Sequence, residues 1–153
     1  AKAWLDTFDG CPQIEFLEQP LAVTDRKGLM ALAESHSLAL ALDESLTDVD
    51  SADEFLADGW PGYFVFKPTL CRDWREMETF LRNEPTRCVV SSVFESPFGF
   101  EAVLRVASLV ETVAGIGVNT FFVEDDFSLH TMDMVLQPGE VDIPQLEELW
   151  RSI

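Results

Sequence analysis

The sequence predicts an α/β fold: the C-terminal portion, about strands four to eight, of a (β/α) barrel of the TIM type. Three observations predict it. Short apolar segments alternate with helical ones, the pattern of βαβ units and a parallel sheet. Leu38-Ala39-Leu40-Ala41-Leu42 is a continuous rather than alternating apolar run, as suits a strand buried on both faces. Polar residues close successive strands at Glu18, Asp43, Lys67 and Ser91, spaced by 25, 24 and 24 positions. Such regularity favours a barrel over a doubly wound sheet, although both place function at this edge.

The elements follow in order. Trp4, Leu5 and Phe8 share one helical face, and Asp9-Gly10 ends that helix, whose start is expected upstream of Ala1. Gln13 to Glu18 reads as a strand closed by Gln19-Pro20, and Asp25 to Ser37 as a helix with Leu29, Met30, Leu32 and Ala33 inward. Leu38 to Leu42 is the next strand. Ser51-Ala52-Asp53-Glu54 is read as a capping box opening a short helix, and Asp58 to Gly62 as a turn. Tyr63 to Phe66 is a strand, about Asp73 to Asn83 a helix, and Cys88 to Val90 a strand. A longer helix is expected from about Phe98 to Val113, then a fifth strand over Asn119 to Val123. A last short helix opens at Asp142-Ile143-Pro144 and carries Leu146, Leu149 and Trp150.

Composition excludes several classes. The 153 residues are 47% hydrophobic, an ordinary globular value. They carry 28 acidic against 10 basic side chains, a net charge of −18. That argues against nucleic-acid binding, which needs basic surface. No apolar run approaches the roughly 18–20 residues of a membrane helix, and no secretory leader is expected from AKAWLDTF. Cys11, Cys71 and Cys88 are odd in number and form no Cys-x-x-Cys, so a disulfide framework or zinc site is not expected. A reducing, cytoplasmic setting fits better.

An acid, an acid and a base at three successive strand ends converge on one mouth. Glu18 and Asp43 offer hard oxygen ligands of the kind Mg²⁺ takes. Lys67 is one of three lysines, with Lys2 and Lys27, and directly follows Tyr63-Phe64-Val65-Phe66. Singly, each could be a solvated strand-end residue; the shared spacing points to a site. His36, His130 and the acidic Glu124-Asp125-Asp126 lack partners at metal-ligand spacing and read as surface. The four tryptophans read as packing.

Ile14-Glu15-Phe16-Leu17-Glu18-Gln19-Pro20, Ala41-Leu42-Asp43-Glu44-Ser45 and Phe66-Lys67-Pro68-Thr69 resemble successive strand ends of the enolase superfamily, muconate-lactonising subgroup. Within it, Lys67 to Leu70, Ser91 to Gly99 and Gly117-Val118-Asn119-Thr120 resemble the o-succinylbenzoate synthase family. The likeness runs from about Gln13 to Thr120. It implies a Mg²⁺-dependent syn-dehydration of 2-succinyl-6-hydroxy-2,4-cyclohexadiene-1-carboxylate to 2-succinylbenzoate, on the way to menaquinone or phylloquinone. Glu18 and Asp43 would be the second and third metal ligands. Lys67 would be the catalytic cation facing the substrate ring. Ser91, Ser92 and Gly117 would meet the succinyl carboxylate, and Glu95 would hold a loop.

The sequence departs from that family in three respects, lacking its acid–base Lys-x-Lys, its first metal-ligating aspartate and its capping domain. All three are expected upstream of Ala1, in the N-terminal half of the same protein. Other readings are a dipeptide epimerase or N-acylamino acid racemase of the same subgroup, or an inactive partial barrel acting as an interaction module. A phosphoacceptor receiver domain fails on order, since two strands follow Lys67-Pro68 where that fold has none.

Overall fold

The computed structural model describes residues 1–95 and 97–116, together with 130–132, 135–137, Pro144 and Arg151. Helix α1 (Lys2–Phe8) leads to β1 (Phe16–Glu18), α2 (Arg26–Ser35), β2 (Ala39–Leu42), α3 (Val49–Ala57) and β3 (Tyr63–Phe66). A 3₁₀ turn over Pro68–Leu70 precedes α4 (Trp74–Asn83), β4 (Cys88–Val90) and α5 (Pro97–Ala107). The four strands form one parallel sheet in sequential order, so the expected repeating β/α unit is present.

Each strand divides its side chains between two layers, because successive residues point to opposite faces. Leu40, Leu42, Phe64, Phe66, Cys88 and Val90 face the helices and pack with Leu29, Phe55, Met77, Phe80 and Leu81. Phe64 meets the Phe80 ring edge-on at 5.4 Å. Ala41, Val65 and Val89 face the other way into a small inner cluster, with Phe16 and Tyr63 against it and their rings 5.0 Å apart.

Helices α2, α3 and α4 start where side-chain caps satisfy their first amides. Asp25 accepts from Gly28 N, and Asp73 from Arg75 N and Glu76 N. For α3 the structure corrects the sequence reading. The capping residue is Asp48, which exchanges bonds with Ser51, so Ser51 lies inside the first turn instead of opening the helix. Val49 is thereby brought into the helix and buried. Gly59 ends α3 with φ +84°, a left-handed conformation glycine adopts without strain. At Gly62 the approach is closer still: a Cβ there would sit 2.0 Å from Leu40 O. The Arg87 guanidinium fastens this corner, donating to the carbonyls of Trp60 and Gly62.

The helix expected to reach Val113 ends at Ala107. There the chain tightens, Leu109 N bonding to Val106 O, and Glu111 N pairs with Pro85 O. Leu109, Val110 and Ile116 still pack on the core, so the apolar pattern continues although the helix does not. Beyond it, Gly115 bridges Ser91 in parallel, with Gly115 N on Val90 O at 2.9 Å. The chain thus returns beside β4, where a fifth strand was expected. The expected strand over 119–123 lies outside the described residues, as does most of the expected last helix. An antiparallel pair, β5 (His130–Met132) and β6 (Val135–Gln137), was not anticipated. Among the described residues no helix is long and apolar enough to cross a membrane.

Candidate functional site

Glu18 is the last residue of β1, while Asp43, Lys67 and Ser91 each directly follow β2, β3 and β4. All four lie an even number of residues from Phe16, Ala41, Val65 or Val89, and so continue the inner face. The register explains how they meet. Glu18 pairs with Ala41, two residues before Asp43; Ala41 pairs with Tyr63, four before Lys67; Phe66 pairs with Val90, which sets Lys67 beside Ser91. The stagger is two, two and zero residues, about one per strand. That matches the shear of about eight over eight strands by which a tilted barrel keeps its strand ends level.

The structure brings the predicted acid, acid and base together. The Lys67 ammonium donates to both carboxylate oxygens of Asp43. Asp43 is buried, only 7% exposed. Glu18 lies at the more open side of the mouth. Loss of water around its carboxyl group, a hydrogen bond with Asp43 and the Asp43 charge push it up to about 7; the Lys67 charge pulls the other way. Two carboxylates that resist joint ionisation suit a cation. They fit as two hard-oxygen ligands of Mg²⁺. Among the described residues no group of three or more His, Cys, Asp and Glu side chains forms a metal cage, so they would be part of a ligand set.

The remaining predicted residues are placed differently. The Ser91 hydroxyl donates to Gly115 O at 2.9 Å, so its proton serves the chain rather than a ligand. Ser92 is half-buried next to it. Gly117 lies outside the described residues, as does the acidic stretch Glu124-Asp125-Asp126. Glu95 is buried and holds loops, as expected: its Oε1 accepts from Thr69 Oγ1 at 3.0 Å and Val93 N at 2.7 Å. His36 is a correction. Read as surface, it tucks Nδ1 against Leu32 O and sets Nε2 3.5 Å from Asp6. Its helix ends against α1, and Asp9 of that segment anchors Ser37 and Leu38 at the start of β2. Sequence reasoning also passed over Gln19, whose side chain reaches the Asp43–Ser45 turn.

No family model matches the chain. It is 34% identical over 117 residues to the o-succinylbenzoate synthase of Thermosynechococcus vestitus (strain NIES-2133 / IAM M-273 / BP-1), covering 75% of this chain and 36% of that protein. The crystal structure of o-succinylbenzoate synthase from Thermosynechococcus elongatus BP-1, complexed with Mg in the active site, superposes with TM-score 0.71 and 26% identity. The match spans 99% of this chain and 45% of that one. The N-succinyl Arg/Lys racemase of Bacillus cereus ATCC 14579 shares the fold, with TM-score 0.70, 19% identity and coverage of 96% and 43%. The parallel strands and helices match the C-terminal portion of an enolase-superfamily barrel. Within that superfamily, the chain is similar to o-succinylbenzoate synthases and spans about a third of the length of the curated relative it matches.

Proposed function

We propose that the chain is the C-terminal barrel portion of an o-succinylbenzoate synthase, a Mg²⁺-dependent carbon–oxygen lyase. The substrate would be 2-succinyl-6-hydroxy-2,4-cyclohexadiene-1-carboxylate and the product 2-succinylbenzoate, a precursor of menaquinone or phylloquinone. The observation that carries this reading is the Glu18–Asp43–Lys67 cluster at three successive strand ends. It is joined by the likeness to the synthase of Thermosynechococcus vestitus.

In the reaction, the carbon beside the carboxylate loses a proton, the ring hydroxyl leaves with one as water, and the ring becomes aromatic. Negative charge develops on the carboxylate side as the proton departs. Glu18 and Asp43 would hold Mg²⁺, which when bound supplies positive charge to the substrate carboxylate. Lys67 would present its ammonium to the ring face and stabilise the same developing charge. The base is proposed to lie in the upstream half of the same protein, since the sequence has no Lys-x-Lys. Ser92 and the Gly117 backbone would receive the succinyl carboxylate. The reading carries a cytoplasmic setting and no nucleic-acid or membrane partner.

A second reading is racemisation of an N-acylated amino acid. The fold shared with the Bacillus cereus racemase favours keeping it, and Lys67 would then exchange a proton with substrate. The test is to assay the complete gene product with Mg²⁺ on both substrate classes. Dehydration supports the first reading. Exchange of the α-proton of N-succinyl amino acids without dehydration supports the second, and neither activity refutes both.

A further inference from the structure

Gln19 directly follows Glu18 and has φ +36°, a left-handed backbone that non-glycine residues rarely adopt and that persists where surroundings enforce it. An extended residue there would point away from Glu18, towards the helices. Instead its side chain runs to the end of β2. Its Oε1 accepts from Asp43 N and from Ser45 N, both at 3.1 Å. Its Nε2 donates to Ser45 Oγ at 3.0 Å and Leu21 O at 2.8 Å. Both donors and both lone pairs of the amide are used. Its backbone N donates to Ala41 O at 2.8 Å, so main chain and side chain both tie β1 to β2.

We propose that Gln19 is a positioning residue that sets Asp43 against Glu18, and so fixes the spacing of the two carboxylates. The proposal rests on the metal reading above and concerns how this chain holds the ligands. An apolar side chain of similar length would fill the same space and leave the Asp43 and Ser45 amides unclamped. Glycine would keep the backbone turn without strain and also remove the clamp.

The test measures Mn²⁺ binding by the complete gene product, with its melting temperature, for wild type, Glu18→Gln, Gln19→Met and Gln19→Gly. We expect both Gln19 variants to bind Mn²⁺ about tenfold or more weakly, the cost typical of removing a group that orients a ligand. Their melting temperatures should stay near wild type. Unchanged Mn²⁺ affinity in a folded Gln19 variant, with Glu18→Gln weakened, overturns the positioning role alone. Unchanged affinity in Glu18→Gln overturns the metal reading, and the proposal with it. If Gln19→Met does not fold, Gln19→Gly decides the matter, since its backbone tolerates the turn.

Discussion

The ammonium of Lys67 closes on both carboxylate oxygens of Asp43, 24 residues back along the chain and one strand away. Under the proposed metal site, Lys67 and a divalent cation would compete for the same two oxygens. The lysine supplies countercharge to a buried acid, which would otherwise be costly to ionise. A cation taking Asp43 leaves the ammonium free to face an anionic ligand.

Lys67→Met should separate these two roles. In the complete gene product, divalent-cation binding should tighten, because a competing positive charge is gone. Turnover should fall by about 10²-fold or more, the range for a positioned catalytic group. Calorimetric titration with Mg²⁺ and a dehydration assay give the two numbers. Unaltered cation affinity would show that the Lys67–Asp43 bond does not guard the site.

Glu18 gives a pH dependence of known sign. Its carboxyl ionises at about 7 in the fold against an ordinary 4.5. Folding therefore disfavours its charge, and the stability so lost is absent below the ordinary value and grows as pH rises towards 7. With EDTA present, Glu18→Gln should melt higher than wild type at pH 8 and alongside it at pH 4. Equal melting at both would mean that Glu18 is not crowded by Asp43. The same variant, and Asp43→Asn, should need more Mg²⁺ for activity.

The cysteines offer an independent check on the core. Burial, with the Glu84 charge adding to it, pushes the Cys88 thiol up to about 12. The thiolate is the reactive form, so at pH 8 Cys88 should resist a thiol reagent in the native protein and react only on unfolding. Half-buried Cys11 and Cys71 should be modified first. Mass spectrometry after timed labelling distinguishes them, and rapid native labelling of Cys88 would refute the β4 packing.

Residues 1–153 expressed alone should be catalytically inactive. The sequence holds no Lys-x-Lys, and the described residues include no group of three or more His, Cys, Asp and Glu side chains that could hold a metal. Among the described residues β1 is hydrogen-bonded to a neighbouring strand on one side only, an edge that invites self-association. Robust dehydration by a monomer in sedimentation would contradict both arguments.

The strands and the Glu18–Asp43–Lys67 cluster were legible because each rests on a local pattern repeated at one spacing. A buried parallel strand needs a continuous apolar run, and function at its end needs a polar residue there. Other features depend on tertiary context. Asp48-x-x-Ser51 and Ser51-x-x-Glu54 both fit a capping pattern, and burial of Val49 chooses between them. The apolar residues after Ala107 face the core from a loop, which periodicity cannot distinguish from a helix. The turn at Gln19 is invisible because nothing in a glutamine signals positive φ. Ser91 was legible as a strand end, but its bond to Gly115 depends on a segment 24 residues downstream.

The polar bonds around the mouth fall into an unequal series. Gln19 staples the β1 loop to the β2 loop with neutral amide bonds, and Glu95 staples the β3 loop to the β4 loop through Thr69. Between these stapled pairs runs the Lys67–Asp43 ion pair. The rim therefore behaves as two stiff lips joined along an ionic seam. A cation that drew Asp43 away from Lys67 would unfasten the seam and leave both staples closed. The bond across the β2–β3 seam is thus the one that a cation at the mouth would break, while the strands beneath it stay paired through Ala41 with Tyr63 and Leu42 with Phe64.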